Sequence, residues 1–125
     1  MTLQQQCPCG TGRTYDACCG RLHRGEVEAS TAVELMRARY SAYAVGNADY
    51  VFRTWHPRTR PVDLALDAMT TWTGLTVLDV VGGGERDDSG EVRFVAAFAG
   101  GELSERSRFV RRGRRWVYLD GDVDP

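Results

Sequence analysis

No cysteine occurs after residue 19 of this 125-residue chain, so no disulfide framework can staple its main body. No apolar run approaches the roughly 20 residues that a membrane-spanning helix needs. The first residues show no basic start followed by an apolar stretch, so no secretory signal is visible. Lysine is also absent, and the 16 arginines are balanced by 17 acidic residues, which argues against a surface that binds polyanions throughout. We therefore expect a cytoplasmic protein that does not bind membranes.

The four cysteines are Cys7, Cys9, Cys18 and Cys19. Two disulfides among them would form a strained cage, and the expected compartment is reducing. Four thiolates in a short, glycine-rich loop instead suit a tetrahedral zinc ion. Because four protein ligands leave no coordination position for a substrate or water, such a zinc ion would be structural and not catalytic. We therefore predict structural zinc, with redox-active or incidental thiols as the alternatives. His23 could replace one cysteine, but a lone histidine beside an arginine is more typical of a solvated surface.

Residues 7–20, with the sequence CPCGTGRTYDACCG, resemble the SEC-C motif. The spacing of the cysteines, the flanking glycines and Tyr15 carry the resemblance, while Thr11 and Arg13 stand where serine and lysine are usual. SEC-C knuckles bind zinc and attach proteins to partners, as at the tail of the bacterial protein-translocation ATPase. The resemblance therefore implies a zinc knuckle, over residues 1–24, that contacts a protein or the ribosome.

The remaining residues predict helices followed by strands. A capping-box pattern at Thr31 and Glu34 begins a helix with apolar residues at helical spacing, and Gly46 ends it. Asn47 caps a second helix through Trp55. The stretch 58–68 is ambiguous, since Pro61 could open a short helical turn there. Strands are predicted over 75–81, 91–99, 102–111 and 116–120. Helices followed by an antiparallel meander indicate an α+β domain.

The chain as a whole resembles the YchJ family, which joins a SEC-C knuckle to a nuclear-transport-factor-2-like domain. The segments LMRARYSAY (35–43), TWHP (54–57), WTGL (72–75), ERSRF (105–109) and YLDG (118–121) carry this resemblance, together with Asp49, Tyr50 and Trp116. It implies a cone over residues 30–125, in which N-terminal helices pack on a curved antiparallel sheet around a pocket. It also implies a homodimer, but it brings no activity.

A curled sheet would direct aromatic and polar side chains inward, as a small-molecule pocket requires. The candidate pocket residues are Tyr40, Tyr43, Trp55, His56, Trp72, Arg106, Arg108, Trp116 and Tyr118. His56 is the candidate proton carrier, with Asp120 or Glu105 to orient it, and members of the wider fold run isomerase and dehydratase chemistry with such pairs. The alternative, which we favour, is that His56 caps the turn before Pro57 and the aromatics fill the core.

Six arginines cluster in a second candidate site, the hairpin 106–115: Arg106, Arg108, Arg111, Arg112, Arg114 and Arg115. Arginine forks recognise phosphates, and Phe109 and Trp116 could stack on bases, which would suit an RNA contact. We favour the alternative, in which these charges protect a sheet edge and pair with the nearby acids Glu102, Glu105, Asp120 and Asp122.

The leading hypothesis is a non-enzymatic binding protein, with a zinc knuckle for docking and a cone for a small ligand or protein. The alternatives are a small acid–base enzyme that uses His56 and an RNA contact through the arginine hairpin.

Overall fold

The computed structural model describes residues 4–124, which form three helices followed by four strands. The helices are α1 (Cys19–His23), α2 (Ala32–Val45) and α3 (Ala48–Arg53), and the strands are β1 (Trp72–Gly82), β2 (Ser89–Phe98), β3 (Gly101–Arg112) and β4 (Arg115–Val123). Each strand pairs antiparallel with the next, so the sheet has the order β1-β2-β3-β4. The predicted α+β class is confirmed. Among the described residues, no helix combines the length and the apolar character that a membrane span needs.

Both ends of α2 follow the local signals in the sequence. Thr31 Oγ1 accepts a hydrogen bond from the Glu34 backbone N–H at 3.2 Å. At the other end Gly46 has φ +77°, a left-handed conformation that closes the helix at little cost to a glycine. Asn47 then caps α3, because its Oδ1 accepts from the backbone N–H of Tyr50 at 3.0 Å. The predicted start and end of α2 and the predicted start of α3 are confirmed.

Replacing Thr31 with alanine should destabilise the protein by about 1 kcal/mol, because the Glu34 N–H loses its acceptor. Urea denaturation at a fixed zinc concentration measures the change. Thr71→Ala is the control, since Thr71 is exposed and lies outside the helices and strands; it should change the free energy of unfolding by less than about 0.5 kcal/mol. Equal effects of the two substitutions would contradict the capping role.

Helix α3 ends at Arg53, two residues before the predicted end at Trp55. The cause is a long-range contact. The chain beyond α3 pairs parallel with β4, where the Tyr118 N–H donates to the Thr54 carbonyl and the His56 N–H donates to the Tyr118 carbonyl, both at 2.8 Å. These bonds hold the backbone extended, so the helix cannot continue.

The strands lie where the sequence predicts them, although β1 begins three residues earlier than expected, at Trp72. Two register shifts in the β1–β2 pairing, at Trp72/Gly74 and Val77/Asp79, allow this long edge strand to bend. The ambiguous stretch 58–68 contains turns and irregular backbone, and the short helical turn at Pro61 does not form.

Helix α2 is covered on two sides. Its Ala38 and Ser41 contact the N-terminal segment 4–24, which we call the knuckle. Met36, Tyr40 and Tyr43 line a cavity between the helix and the sheet. The two sets each recur at intervals of three or four residues, as helical geometry requires of a face. The helix therefore separates the knuckle from the cavity.

Candidate metal centre and cavity

The four cysteine side chains are all buried, and their Sγ atoms lie within 4.8 Å of one another. Cys9 Sγ and Cys18 Sγ are 3.6 Å apart. Four sulfurs at about 2.3 Å from a tetrahedral zinc ion lie about 3.8 Å from one another, whereas a disulfide brings two sulfurs to about 2.05 Å. All four cysteines are free. The geometry therefore fits a metal site closed by four thiolates.

Glycines allow the chain to wrap around this site. Gly10 and Gly12 have φ of +87° and +86°, in the left-handed region that other residues rarely adopt. The loop they form is closed by a hydrogen bond of 2.8 Å from the Cys7 N–H to the Arg13 carbonyl. The glycine-rich loop of the sequence therefore takes conformations that let it turn tightly around the site.

The buried sulfurs shift the pKa of one another. Hydrogen bonds from Cys19 and Cys9 lower the pKa of Cys7, whereas the hydrogen bond to Cys7 raises the pKa of Cys19. Burial also raises the pKa of both thiols, because it penalises their charged form. A soft divalent cation would displace the remaining protons and balance the buried thiolates.

The knuckle is packed directly on α2. Arg37 Nη1 donates to the Cys9 carbonyl at 2.6 Å, and the Cys7 Sγ lies 3.4 Å from Ser41 Oγ. The cysteines belong to the same buried cluster as the apolar residues of α2. The metal site therefore stands against the helix, in contact with the rest of the fold.

His23 is buried, with 8% of its surface exposed, so the expectation of a solvated side chain is wrong. Its Nε2 lies 2.8 Å from the Ala38 carbonyl oxygen, which can only accept, so Nε2 carries the hydrogen. Its Nδ1 then accepts from the Tyr15 hydroxyl at 2.5 Å. Burial lowers the pKa of His23 and favours this neutral form. Both nitrogens are occupied, so His23 joins the knuckle to α2 and does not act as a ligand.

A cavity of about 260 Å³, partly open to solvent, lies between α2, the end of α3 and the sheet. Seven of its thirteen lining residues are aromatic. The lining consists of Met36, Arg39, Tyr40, Tyr43, Trp55, Trp72, Phe94, Ala96, Leu103, Glu105, Ser107, Phe109 and Tyr118. Five of the nine candidate pocket residues are among them: Tyr40, Tyr43, Trp55, Trp72 and Tyr118. The structure places the other four elsewhere.

His56 lies at the turn that follows α3, outside the cavity lining. Its Nδ1 accepts from the Arg58 N–H and its carbonyl accepts from the Arg60 N–H, both at 3.0 Å. Asp120, the candidate partner of His56, instead accepts from Arg108 Nε at 2.5 Å. The structure therefore does not bring the candidate catalytic pair together, and His56 has the turn-capping contacts of the alternative interpretation.

Arg106 and Arg108 lie on the outer face of the sheet, opposite the cavity. Side chains alternate along a strand, and Glu105, Ser107 and Phe109 of β3 line the cavity, so Arg106 and Arg108 between them point outward. Arg106 pairs with Asp79 at 3.0 Å, and Arg108 pairs with Asp120 and Asp122.

The fourth displaced residue, Trp116, is buried beneath the start of α2, where its Nε1 donates to the Ser30 carbonyl at 3.2 Å.

Half of the arginines in the hairpin 106–115 interact with other groups of the protein. Arg106 and Arg108 form ion pairs. Arg111 donates hydrogen bonds to backbone carbonyls of residues 84–87, and its Cζ lies 4.5 Å from the Trp116 ring centroid. The predicted partners Asp120 and Asp122 are used, whereas Asp79 and Glu91 pair with Arg106 in place of the expected Glu102 and Glu105. Arg112, Arg114 and Arg115 are exposed at the turn.

Arg39 is a cavity residue that the sequence-based candidates omitted. It is only 6% exposed, and its Nη1 donates to the Val51 carbonyl at 3.0 Å and to Thr54 Oγ1 at 2.8 Å. Its Cζ lies 4.6 Å from the Tyr118 ring centroid and 5.0 Å from that of Trp55. Burial lowers the pKa of Arg39, yet an arginine keeps its charge in a protein. Its position three residues after Met36, on the same helix face, is the signal that could have found it.

Glu105 supplies the negative charge of the cavity. Its Oε2 accepts from Ser107 Oγ at 2.5 Å and from the Tyr118 hydroxyl at 3.1 Å. Burial, followed by the charge of Glu105, raises the pKa of Tyr118. Within the described residues Glu105 and Arg39 do not form an ion pair. The cavity therefore presents two separate charges on aromatic walls.

The site and the fold define a SEC-C protein with a nuclear-transport-factor-2-like domain. Residues 5–21 match the SEC-C motif, and residues 31–121 match the family described as the middle NTF2-like domain of YchJ. The chain therefore belongs to the YchJ family, whose curated members include UPF0225 proteins. One such protein, from Streptomyces coelicolor, is 52% identical over 93% of this chain and 94% of its own length. Another, from Cupriavidus pinatubonensis, is 49% identical over 94% of this chain and 87% of its own length.

Two solved structures share the fold. The solution structure of a SEC-C motif protein from Rhodopseudomonas palustris has a TM-score of 0.79 and 34% identity, over 95% of this chain and 98% of the other. The crystal structure of a SEC-C motif protein from Psychrobacter arcticus has a TM-score of 0.78 and 28% identity, over all of this chain and 86% of the other. Both likenesses span the knuckle as well as the sheet.

Proposed function

We propose that this protein is a zinc-binding, non-enzymatic binding protein. The observation that carries the proposal is the buried quartet of sulfurs within 4.8 Å of one another. Zinc suits this site better than harder cations, because thiolate ligands in tetrahedral geometry select zinc or iron–sulfur clusters, and the site has the four ligands of a structural zinc ion. When bound, zinc supplies a crosslink between the two ends of the knuckle.

The metal content of protein purified without added metal tests the zinc site. We expect one zinc per chain, and cobalt substituted for it should give the absorption spectrum of a tetrahedral tetrathiolate. The variant Cys18→Ser should retain far less zinc, while Thr11→Ala, whose hydroxyl lies 3.2 Å from Cys18 Sγ without being a ligand, should retain one. Iron in place of zinc, or full zinc content in Cys18→Ser, would contradict the proposal.

The cone-shaped body supports a second part of the proposal, the binding of a small ligand. Its cavity is lined mainly by aromatic side chains with two charged groups, which is typical of ligand sites. At about 260 Å³ it is smaller than the sites that hold drug-sized molecules. The cavity lining contains no histidine, and His56 caps a turn outside it, so the contacts favour binding over acid–base chemistry.

The knuckle supports a third part, a contact with a protein partner. Residues 10–13 form its exposed tip, while the cysteines behind them are buried. Pull-downs should lose the same partners with Arg13→Glu, which leaves the ligands intact, as with Cys18→Ser. Unchanged partners in both variants would remove the docking role and leave the zinc site in place.

A further inference from the structure

We propose that the cavity binds a small aromatic monocarboxylate whose carboxylate pairs with Arg39; this inference rests on the small-ligand part of the proposed function. Arg39 is a buried cation without a carboxylate partner. No ion pair within residues 4–124 involves it, and its nearest acceptors are a backbone carbonyl and a hydroxyl, both on Nη1. A buried charge is costly unless it is paired, which indicates that the partner comes from outside the chain.

Arg39 lines the cavity. Its hydrogen bonds to the described residues both use Nη1, so its other N–H groups are available to a ligand in the cavity. The Cζ of Arg39 lies over the rings of Trp55 and Tyr118, and both rings stabilise its charge. The planar fork of guanidinium N–H groups matches the two oxygens of a carboxylate.

The size and the walls of the cavity define the rest of the ligand. A cavity of roughly 150 Å³ holds one benzene ring, so about 260 Å³ leaves room for a ring and one carboxylate. Tyr40, Tyr43 and Trp72 offer ring faces and edges for aromatic contacts. Glu105 carries a negative charge in the same lining, so a second carboxylate on the ligand would be repelled.

Calorimetric titration of the zinc-loaded full chain with benzoate and with its neutral relative benzamide tests the proposal. We expect benzoate to bind at least about tenfold more tightly than benzamide, since benzamide lacks the charge that pairs with Arg39. Phthalate, a dicarboxylate, should bind more weakly than benzoate. Equal affinities for benzoate and benzamide would overturn the assignment to Arg39. If no ring compound binds at millimolar concentration, the small-ligand part of the proposed function falls, and this inference falls with it.

Variants of Arg39 distinguish the effect of its positive charge from the effect of its planar N–H fork. Arg39→Met should abolish benzoate binding, and Arg39→Lys, which keeps the charge but loses the planar fork, should weaken it about tenfold. Arg112→Met removes an equal charge at the exposed hairpin turn and should leave the affinity unchanged. Glu105→Gln should bind benzoate about two- to fivefold more tightly, because a repulsive charge is removed. Weaker binding by Glu105→Gln, or benzoate binding by Arg39→Met, would overturn the proposal.

Discussion

Replacing Cys18 with serine should release the knuckle from α2. The knuckle buries few large apolar side chains, so we expect the proposed zinc to supply most of its folding free energy. Structural zinc sites contribute on the order of 10 kcal/mol. Without the fourth thiolate, the backbone bonds that close the knuckle lose their support, including the N–H groups of Cys7, Cys18 and Gly20. We expect these three amides to lose hydrogen-exchange protection by at least about 100-fold.

The sheet provides the internal reference for this measurement. Its amides donate hydrogen bonds to neighbouring strands and not to the knuckle. We expect β2 and β3 amides to lose much less protection than the three knuckle amides in Cys18→Ser, because release of the knuckle uncovers α2 first. Chelation of zinc from the unaltered chain should reproduce the pattern, and Thr11→Ala should not. Protection of the three knuckle amides that survives both the substitution and chelation would show that packing on α2, without a metal, holds the knuckle.

Replacing Gly83 with alanine should destabilise the fold by about 2–5 kcal/mol. Gly83 has φ +75°, where a side chain costs about 1–2 kcal/mol. A Cβ at this position would lie 2.6 Å from the Cβ of Ala32, so the start of α2 would have to move, at a further cost of about 1–3 kcal/mol. The Gly83 carbonyl also accepts from the Ala32 N–H at 2.9 Å, and this contact would be strained.

Gly113→Ala is the matched control for this prediction. Gly113 has φ +67°, but a Cβ built there meets nothing within 4 Å, so the substitution should cost only the backbone term of about 1–2 kcal/mol. Urea denaturation of the zinc-loaded proteins gives both values. If the two substitutions lower the free energy of unfolding equally, the close approach of the β1–β2 hairpin to α2 does not contribute to the effect of Gly83→Ala.

Signals that act within a few residues of one another allowed accurate prediction. The caps at Thr31 and Asn47 and the stop at Gly46 each depend on one turn of chain. The four cysteines lie within thirteen residues, so their spacing already implies one site. The glycine turns between the strands likewise define the meander.

Features that depend on distant contacts escaped prediction. Helix α3 stops early because β4, more than sixty residues away, pairs with the chain that follows it. Helical spacing from Met36 places Arg39 on the cavity face of α2, but its burial also needs the ring of Tyr118 and the hydroxyl of Thr54, which that spacing does not reveal. Three consecutive glycines, such as residues 82–84, are typical of a flexible turn, whereas Gly83 is buried against Ala32. For β3 the sequence did contain a usable pattern. Side chains alternate along a strand, so counting from Leu103 places Glu105 inside the cavity and Arg106 outside it.

Because α2 is enclosed on both sides, the knuckle covers part of the helix with which the domain predicted from residue 30 begins. A chain shortened to begin at residue 30 would leave Ala38 and Ser41, both fully buried, in contact with water. It would also strip the Ala38 carbonyl of the histidine that donates to it and leave Arg53 without the two carbonyls that it holds. Because the knuckle covers buried residues of α2, its removal exposes them to water. We therefore expect such a fragment to aggregate.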